Sequence, residues 1–152
     1  MTKVQINYHD GSQSEKTLTD EEIPFPEGKL IVSRTDIDGI ITHCNQAFVE
    51  MSGFEMGELT GKPHHILRHP DMPSAAFKDL WDTVKNQGKK WRGYVKNLRK
   101  DGSFYWVYAV VVPNVRDGKT VGFASIRRKP SRTKIKELTE IYKDMLAEEK
   151  KA

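Results

Sequence analysis

The sequence has a single cysteine, Cys44, in 152 residues. That excludes an internal disulfide framework and any zinc site built on several cysteines. No apolar run approaches the ~20 residues needed to cross a bilayer, and residues 1–20 lack the apolar centre of a signal peptide. A soluble, cytoplasmic protein with no direct membrane insertion is expected. Glycine-rich phosphate loops, paired carboxylates on an obvious pocket element and nucleophile–base motifs are missing, which argues against a hydrolase, kinase or transferase and for a non-enzyme. Positive charge is not concentrated either: 25 Lys and Arg against 21 Asp and Glu give a formal charge of +4, modest for a nucleic-acid binder. The cations thicken only over 89–100 and 127–136, as solvated faces or as anion or membrane-surface contacts. Nucleic acid is not an expected partner.

What is present suffices for one hydrophobic core. The length fits one domain with short extensions, and three Trp, five Tyr and six Phe supply large side chains to bury. Residues 1–28 are polar, and Ile23-Pro24-Phe25-Pro26 cannot continue a helix or a central strand, so this segment reads as an N-terminal cap or arm with order beginning near Lys29. A β-rich run over 30–35, a turn at Asp36-Ile37-Asp38-Gly39 and a second run over 40–43 predict a hairpin. Asn45 stands at an N-cap position before Ala47, Phe48 and Met51, with Gly53 as the stop.

Residues 55–71 are too interrupted by Gly57, Gly61, Pro63 and Pro70 for one long helix, and such a stretch usually frames something. Pro73 opens an amphipathic helix carrying Ala76, Phe77, Leu80, Trp81 and Val84, which closes at Gly88. Strands over 91–99, 103–114 and 120–128 follow, separated by two Asp-Gly turns. The expected class is α+β: a five-stranded antiparallel sheet, short helices on one face and a C-terminal helix. In that last helix, over 134–150, Ile135, Leu138, Tyr142 and Met145 recur at three and four, the spacing of a coiled-coil seam or of a stripe docked on the domain's own sheet.

This element order, with Asn45-Gln46-Ala47-Phe48 and Ser52-Gly53-Phe54, resembles the PAS fold. More specifically, Gly61-Lys62-Pro63-His64-His65-Ile66-Leu67-Arg68-His69-Pro70-Asp71-Met72-Pro73, followed by Trp81, Trp91-Arg92-Gly93 and Tyr105-Trp106-Val107, resembles the PAS domain of bacterial aerotaxis receptors. The resemblance covers roughly Lys29 to Lys129. It divides the chain into an N-terminal arm (1–28), a PAS sensor domain (29–130) and a C-terminal output or linker helix (131–152). It implies non-covalent FAD binding, with FMN and haem as lesser possibilities, and a redox or oxygen report to a chemotaxis kinase-control module or other downstream signalling domain, with homodimerisation through the sheet or terminal helices. The membrane anchor, HAMP segment and kinase-control helices of full receptors have no counterpart here, so the chain reads as a fragment or a stand-alone relative.

The family positions tied to flavin match Asn45, His64, Arg68, His69, Asp71 and Trp81, with Asn97 a further candidate. Arg68 suits a forked contact to pyrophosphate, oriented by Asp71, or else a structural Arg68–Asp71 ion pair. Asn97 suits the carbonyl and imide edge of the ring if strand alternation points it inward. Asn45 either touches ligand or simply caps its helix. Phe77 and Trp81 share a helix face and serve the core or the ring. Ser125 and Arg127 share a face of the last strand, through which PAS domains usually transmit cofactor changes, although ordinary exposure explains them equally. His64, His65 and His69 raise haem ligation, while Pro70 argues against a helix presenting a metal pair. A cofactor-free interaction module is the remaining alternative. Cys44, on the second strand of the predicted hairpin, is misplaced for a flavin–cysteinyl photosensor and reads as a small core residue.

Overall fold

The computed structural model describes residues 2–7 and 12–151. Strands β1 (Thr2–Asn7) and β2 (Gln13–Leu18) form a separate antiparallel hairpin. The five-stranded sheet contains β3 (Ile31–Asp36), β4 (Ile41–Cys44), β5 (Trp91–Leu98), β6 (Phe104–Arg116) and β7 (Lys119–Arg128) in the antiparallel order β4-β3-β7-β6-β5. Between β4 and β5 lie α1 (Gln46–Ser52), α2 (Met56–Leu59), a 3₁₀ turn (His64–Leu67) and α3 (Ser74–Trp81), which widens into a π turn over Asp82–Asn86. Helix α4 (Arg132–Lys151) ends the chain.

Register explains the layering. Across the sheet, Ser33 faces Ser125, Arg127 faces Ala109, Ala109 faces Gly93 and Tyr105 faces Asn97, so the odd-numbered residues of β3, β5, β6 and β7 share the face covered by the short helices. There Ile31, Tyr105 and Val107 pack with Ile41, Phe48, Leu59, Leu67, Met72 and Val84 in one buried core. The β6–β7 turn is the two-residue hairpin expected from its Asp-Gly pair: Asp117 has φ 51° and Gly118 φ 76°.

The N-terminal segment departs from expectation. Read as a cap or arm with order beginning near Lys29, it is ordered earlier: strands β1 and β2 form a hairpin whose Val4, Ile6 and Leu18 make a small cluster with Leu98. Each strand offers only one or two apolar residues between polar ones, too weak an alternation to identify without the surface that receives it. The Pro-flanked Phe25 is buried, and Ile23 donates to Phe104 O (2.8 Å), so the following stretch is stapled along the start of β6. Gly102 permits this seat. Its φ of +92° favours glycine, and a Cβ there would collide with the Thr17 carbonyl.

Of the two readings of the last helix, docking on the chain's own sheet is the one observed. Ile135 is buried, Tyr142 stacks on Trp106 (centroids 6.3 Å apart) and its hydroxyl donates to Tyr94 O (2.7 Å). At its far end the Glu149 carboxylate accepts from the Ser74 and Ala75 amides (2.9 and 3.2 Å), capping α3, whose own N-cap Pro73 has no side-chain acceptor to offer.

Two outcomes are expected. Gly102→Ala lowers stability by about 1–3 kcal/mol in urea unfolding and raises amide exchange in β1 and β2; unchanged exchange there would contradict the seating. Glu149→Gln weakens the α3 cap by about 0.5–1 kcal/mol, seen as faster exchange at Ser74 and Ala75 and in the last turns of α4.

Candidate functional site

The inner face of the sheet is hollowed where its side chains are small. Ala109 lies between Gly93 and Arg127 in the register, Ser125 lies opposite Ser33, and α3 is too short to fill the space with Phe77, Leu80 and Trp81. The result is a cavity of about 790 Å³, in the upper part of the ~300–1,000 Å³ range of small-molecule sites. Val95, Val107, Ala109, Val111 and Phe123 make its floor apolar, and Trp81 stands edge-on to Phe123 at 5.3 Å. Trp81 also covers the Gly39 turn, where a Cβ would touch its ring at 3.6 Å.

Polar groups enter this slot at few places. Asn97 is 4% exposed and reaches the cavity from β5, with its backbone bridged to Arg68. Across the register from it, the Tyr105 hydroxyl is buried, which pushes its pKa up to about 12. Thr35 Oγ1, on a residue of the β3 floor, is buried without a partner. Arg127 is 2% exposed; it meets His64 Nε2 at 3.1 Å, donates to Ser33 Oγ at 2.5 Å and lies over the Phe48 ring at 4.4 Å. Burial, then the neighbouring Arg127 charge, pulls His64 down to about 3, so the imidazole is neutral at pH 7. Toward the rim, Arg68 donates to Met72 O (3.2 Å) and Ser74 Oγ (3.0 Å) and lies over Phe77 at 4.8 Å, with exposed Lys78 and Asp38 also lining the cavity.

This PAS-like architecture has matches among known proteins. A family profile described as "PAS fold" matches residues 41–127. The chain belongs to the PAS family. The chain is 45% identical over 130 residues to the aerotaxis receptor of Escherichia coli (strain K12), an alignment spanning 86% of this chain and 26% of that protein. It therefore covers about a quarter of that relative's length. Among solved structures, the PAS domain of a Colwellia psychrerythraea protein matches at TM-score 0.61 and 27% identity, over 68% of this chain and 87% of that one. The dark structure of the blue-light photoreceptor Aureochrome1 LOV matches at TM-score 0.65 and 20% identity, over 72% and 82%; at that identity the likeness is one of fold.

Within the PAS domain, His64, Arg68, Phe77, Trp81, Asn97, Ser125 and Arg127 all line the cavity, whereas Asn45, His69 and Asp71 do not. Asn45 uses its whole amide locally: Oδ1 accepts from Phe48 N (3.2 Å) and Val32 N (3.1 Å), and Nδ2 donates to Leu30 O (2.9 Å), tying α1 to β3. His69 is buried edge-on to Phe104 and accepts from Asp71 N, while Asp71 pairs with Lys96 (2.7 Å) rather than Arg68. Burial is the largest cause that lowers His69, to about 4. Cys44 lies outside the cavity lining, with Sγ 3.1 Å from Met56 Sδ. Among the described residues no three His, Cys, Asp or Glu side chains group as a metal site. Ser33, Thr35, Trp91 and the apolar floor escaped the sequence reading, yet the odd-number alternation of β3 and of β5 to β7 was the signal that would have found them.

His64 sets a pH dependence. Its folded pKa lies below its unfolded value near 6.5, so the unfolded state binds the extra proton and stability, full above pH 6.5, is lost as pH falls toward 3. Acidification from pH 7 to 5 is expected to cost about 1–2 kcal/mol through His64. His64→Gln, which keeps an acceptor for Arg127, flattens that slope in denaturant titrations; an unaltered slope would show that His64 does not carry it.

Proposed function

We propose that this PAS domain is a non-catalytic sensory module that binds flavin, FAD in the first instance, non-covalently in the cavity between sheet and α3. The observation that carries the reading is the cavity's chemistry: an apolar slot of about 790 Å³, a buried amide at Asn97, and cations at Arg68 and Lys78 on the rim. An orphaned buried polar atom of its lining, Thr35 Oγ1, fits a site built to receive a polar ligand rather than to be packed shut. When bound, the flavin supplies the reversible redox change that the module reports.

The residues present divide the work. Phe77, Trp81 and Phe123 exclude water from the slot, Asn97 and Ser125 offer hydrogen bonds along its floor, and Arg68 offers charge to a phosphate. Arg68 is also positioned to pass on a change. Its guanidinium holds Ser74 Oγ, and the Ser74 amide is held in turn by Glu149 of α4. A shift of Arg68 therefore bears on the contact that docks the last helix. In this reading 29–130 form the sensor and 131–152 the output helix, with 1–28 bracing the domain. The protein is cytoplasmic, and its partner is a chemotaxis kinase-control module or another downstream signalling domain, reached alone or as a homodimer. The 45% identity to an aerotaxis receptor supports that setting.

Purified protein, as isolated or after incubation with FAD, is expected to show the oxidised-flavin band at ~450 nm and to release FAD on denaturation. Asn97→Ala should weaken FAD binding about tenfold, the worth of one buried hydrogen bond. A haem spectrum, or a chain that takes up no ligand and still dimerises, would overturn the flavin reading.

A further inference from the structure

Arg127 is a buried cation without a carboxylate counter-ion among the described residues. It touches the Ser33 hydroxyl, the neutral His64 imidazole and the Phe48 ring, and among the described residues no carboxylate lies within ion-pair distance of it. Nε has no hydrogen-bond acceptor, and the two bonds made by the Nη atoms leave the rest of the fork unanswered. The only carboxylate lining the cavity among the described residues is that of Asp38, exposed on the rim. A guanidinium needed only to join β7 to β3 would not require its charge, and a buried charge left uncompensated is costly. The side chain is held in place from two sides, by Ser33 and His64, and Ala109, across from it in the register, leaves the space above the floor open.

Position narrows the ligand group. Arg127 is buried at the floor on β7, in the row of Ala109 and Gly93, with Asn97 four residues farther along β5, while the exposed cation Lys78 and half-buried Arg68, whose backbone is bridged to Asn97, lie at the rim. We infer that Arg127 is the counter-charge for the electron-rich carbonyl and imide edge of the bound ring, and that the phosphate-bearing tail is met by Arg68 and Lys78. This rests on the flavin reading of the cavity and assigns the direction in which the ligand lies. It also gives the site a preference for a ring that gains negative charge over one that does not, because the guanidinium is already desolvated and aimed.

The test uses the full chain stripped of ligand and titrated with riboflavin, FMN and FAD, following flavin fluorescence. Arg127→Met is expected to weaken all three by tenfold or more, whereas Arg68→Met weakens FMN and FAD and leaves riboflavin within twofold. Riboflavin bound to Arg127→Met should also show a two-electron midpoint potential lower by about 30 mV or more than in the unaltered chain, a tenfold loss of preference for the reduced ring. Arg127→Lys, which keeps the charge without the fork, should weaken binding while largely keeping the potential. Should Arg127→Met fail to fold, Arg127→Lys and Ser33→Ala, which frees the guanidinium, carry the same comparison. Loss of FAD but not riboflavin affinity in Arg127→Met would place Arg127 at the phosphates and overturn the assignment. Weaker binding with an unmoved potential would make Arg127 a packing residue and overturn it as well. If the unaltered chain binds none of the three flavins, the flavin reading itself fails; if it binds them and only the Arg127 variants behave otherwise than expected, the reading stands and this assignment falls.

Discussion

Burial of the Arg127 guanidinium joins parts of the molecule that are far apart in sequence. One side chain on β7 holds Ser33 of β3, His64 of the 3₁₀ turn and the ring of Phe48 in α1. Hydrogen bonds to a charged group, ~1.5–3 kcal/mol each, and a desolvated cation–π contact of ~2 kcal/mol offset part of the cost of removing the charge from water. The depression of its pKa to about 10, caused first by burial, marks the part that is not offset. The turn carrying His64, and through it Arg68, is thereby anchored to the sheet at one end of the cavity.

The remaining architecture follows from a sheet with one face to cover and short helices to cover it. Odd-numbered residues of the long strands meet the helices, and where these residues are Ala109, Ser33, Ser125 and Gly93 the layers do not interdigitate. Close packing is the rule in protein interiors, so an apolar space of this size bordered by oriented polar atoms has the character of a binding site. Helix α3 forms one wall of that space. It is capped by Glu149 from α4 and touched by Arg68 from within, and both contacts fall on its first turn. The cavity and the C-terminal helix are thus one hydrogen-bonded step apart.

The order of strands, helices and turns was legible because each rests on local chemistry: alternation in the strands, Asp-Gly at the turns, Asn45 before α1. The β1–β2 hairpin was not, since a pair of mostly polar strands gains its stability from Leu98 and the Gly102 turn, neither of which is near in sequence. The site was legible in part. The string Arg68-His69-Pro70-Asp71 drew attention as a unit, yet it divides in space. The 3₁₀ turn ends at Leu67, Arg68 continues as extended backbone bridged to Asn97, and successive side chains then point apart, Arg68 to the cavity and His69 to Phe104.

By itself the sequence determined the element order, the PAS resemblance and the inventory of polar groups available to a ligand, because periodicity, turn residues and composition are properties of neighbours along the chain. Tertiary structure alone decided which of those groups face one cavity, that Asp71 pairs with Lys96, that Asn45 is consumed by its cap, that α4 returns to the sheet, and that Arg127 is buried with no carboxylate beside it among the described residues. Each of these depends on the pairing of strands and helices remote in sequence, and a charge is compensated or left alone only by what folding brings beside it.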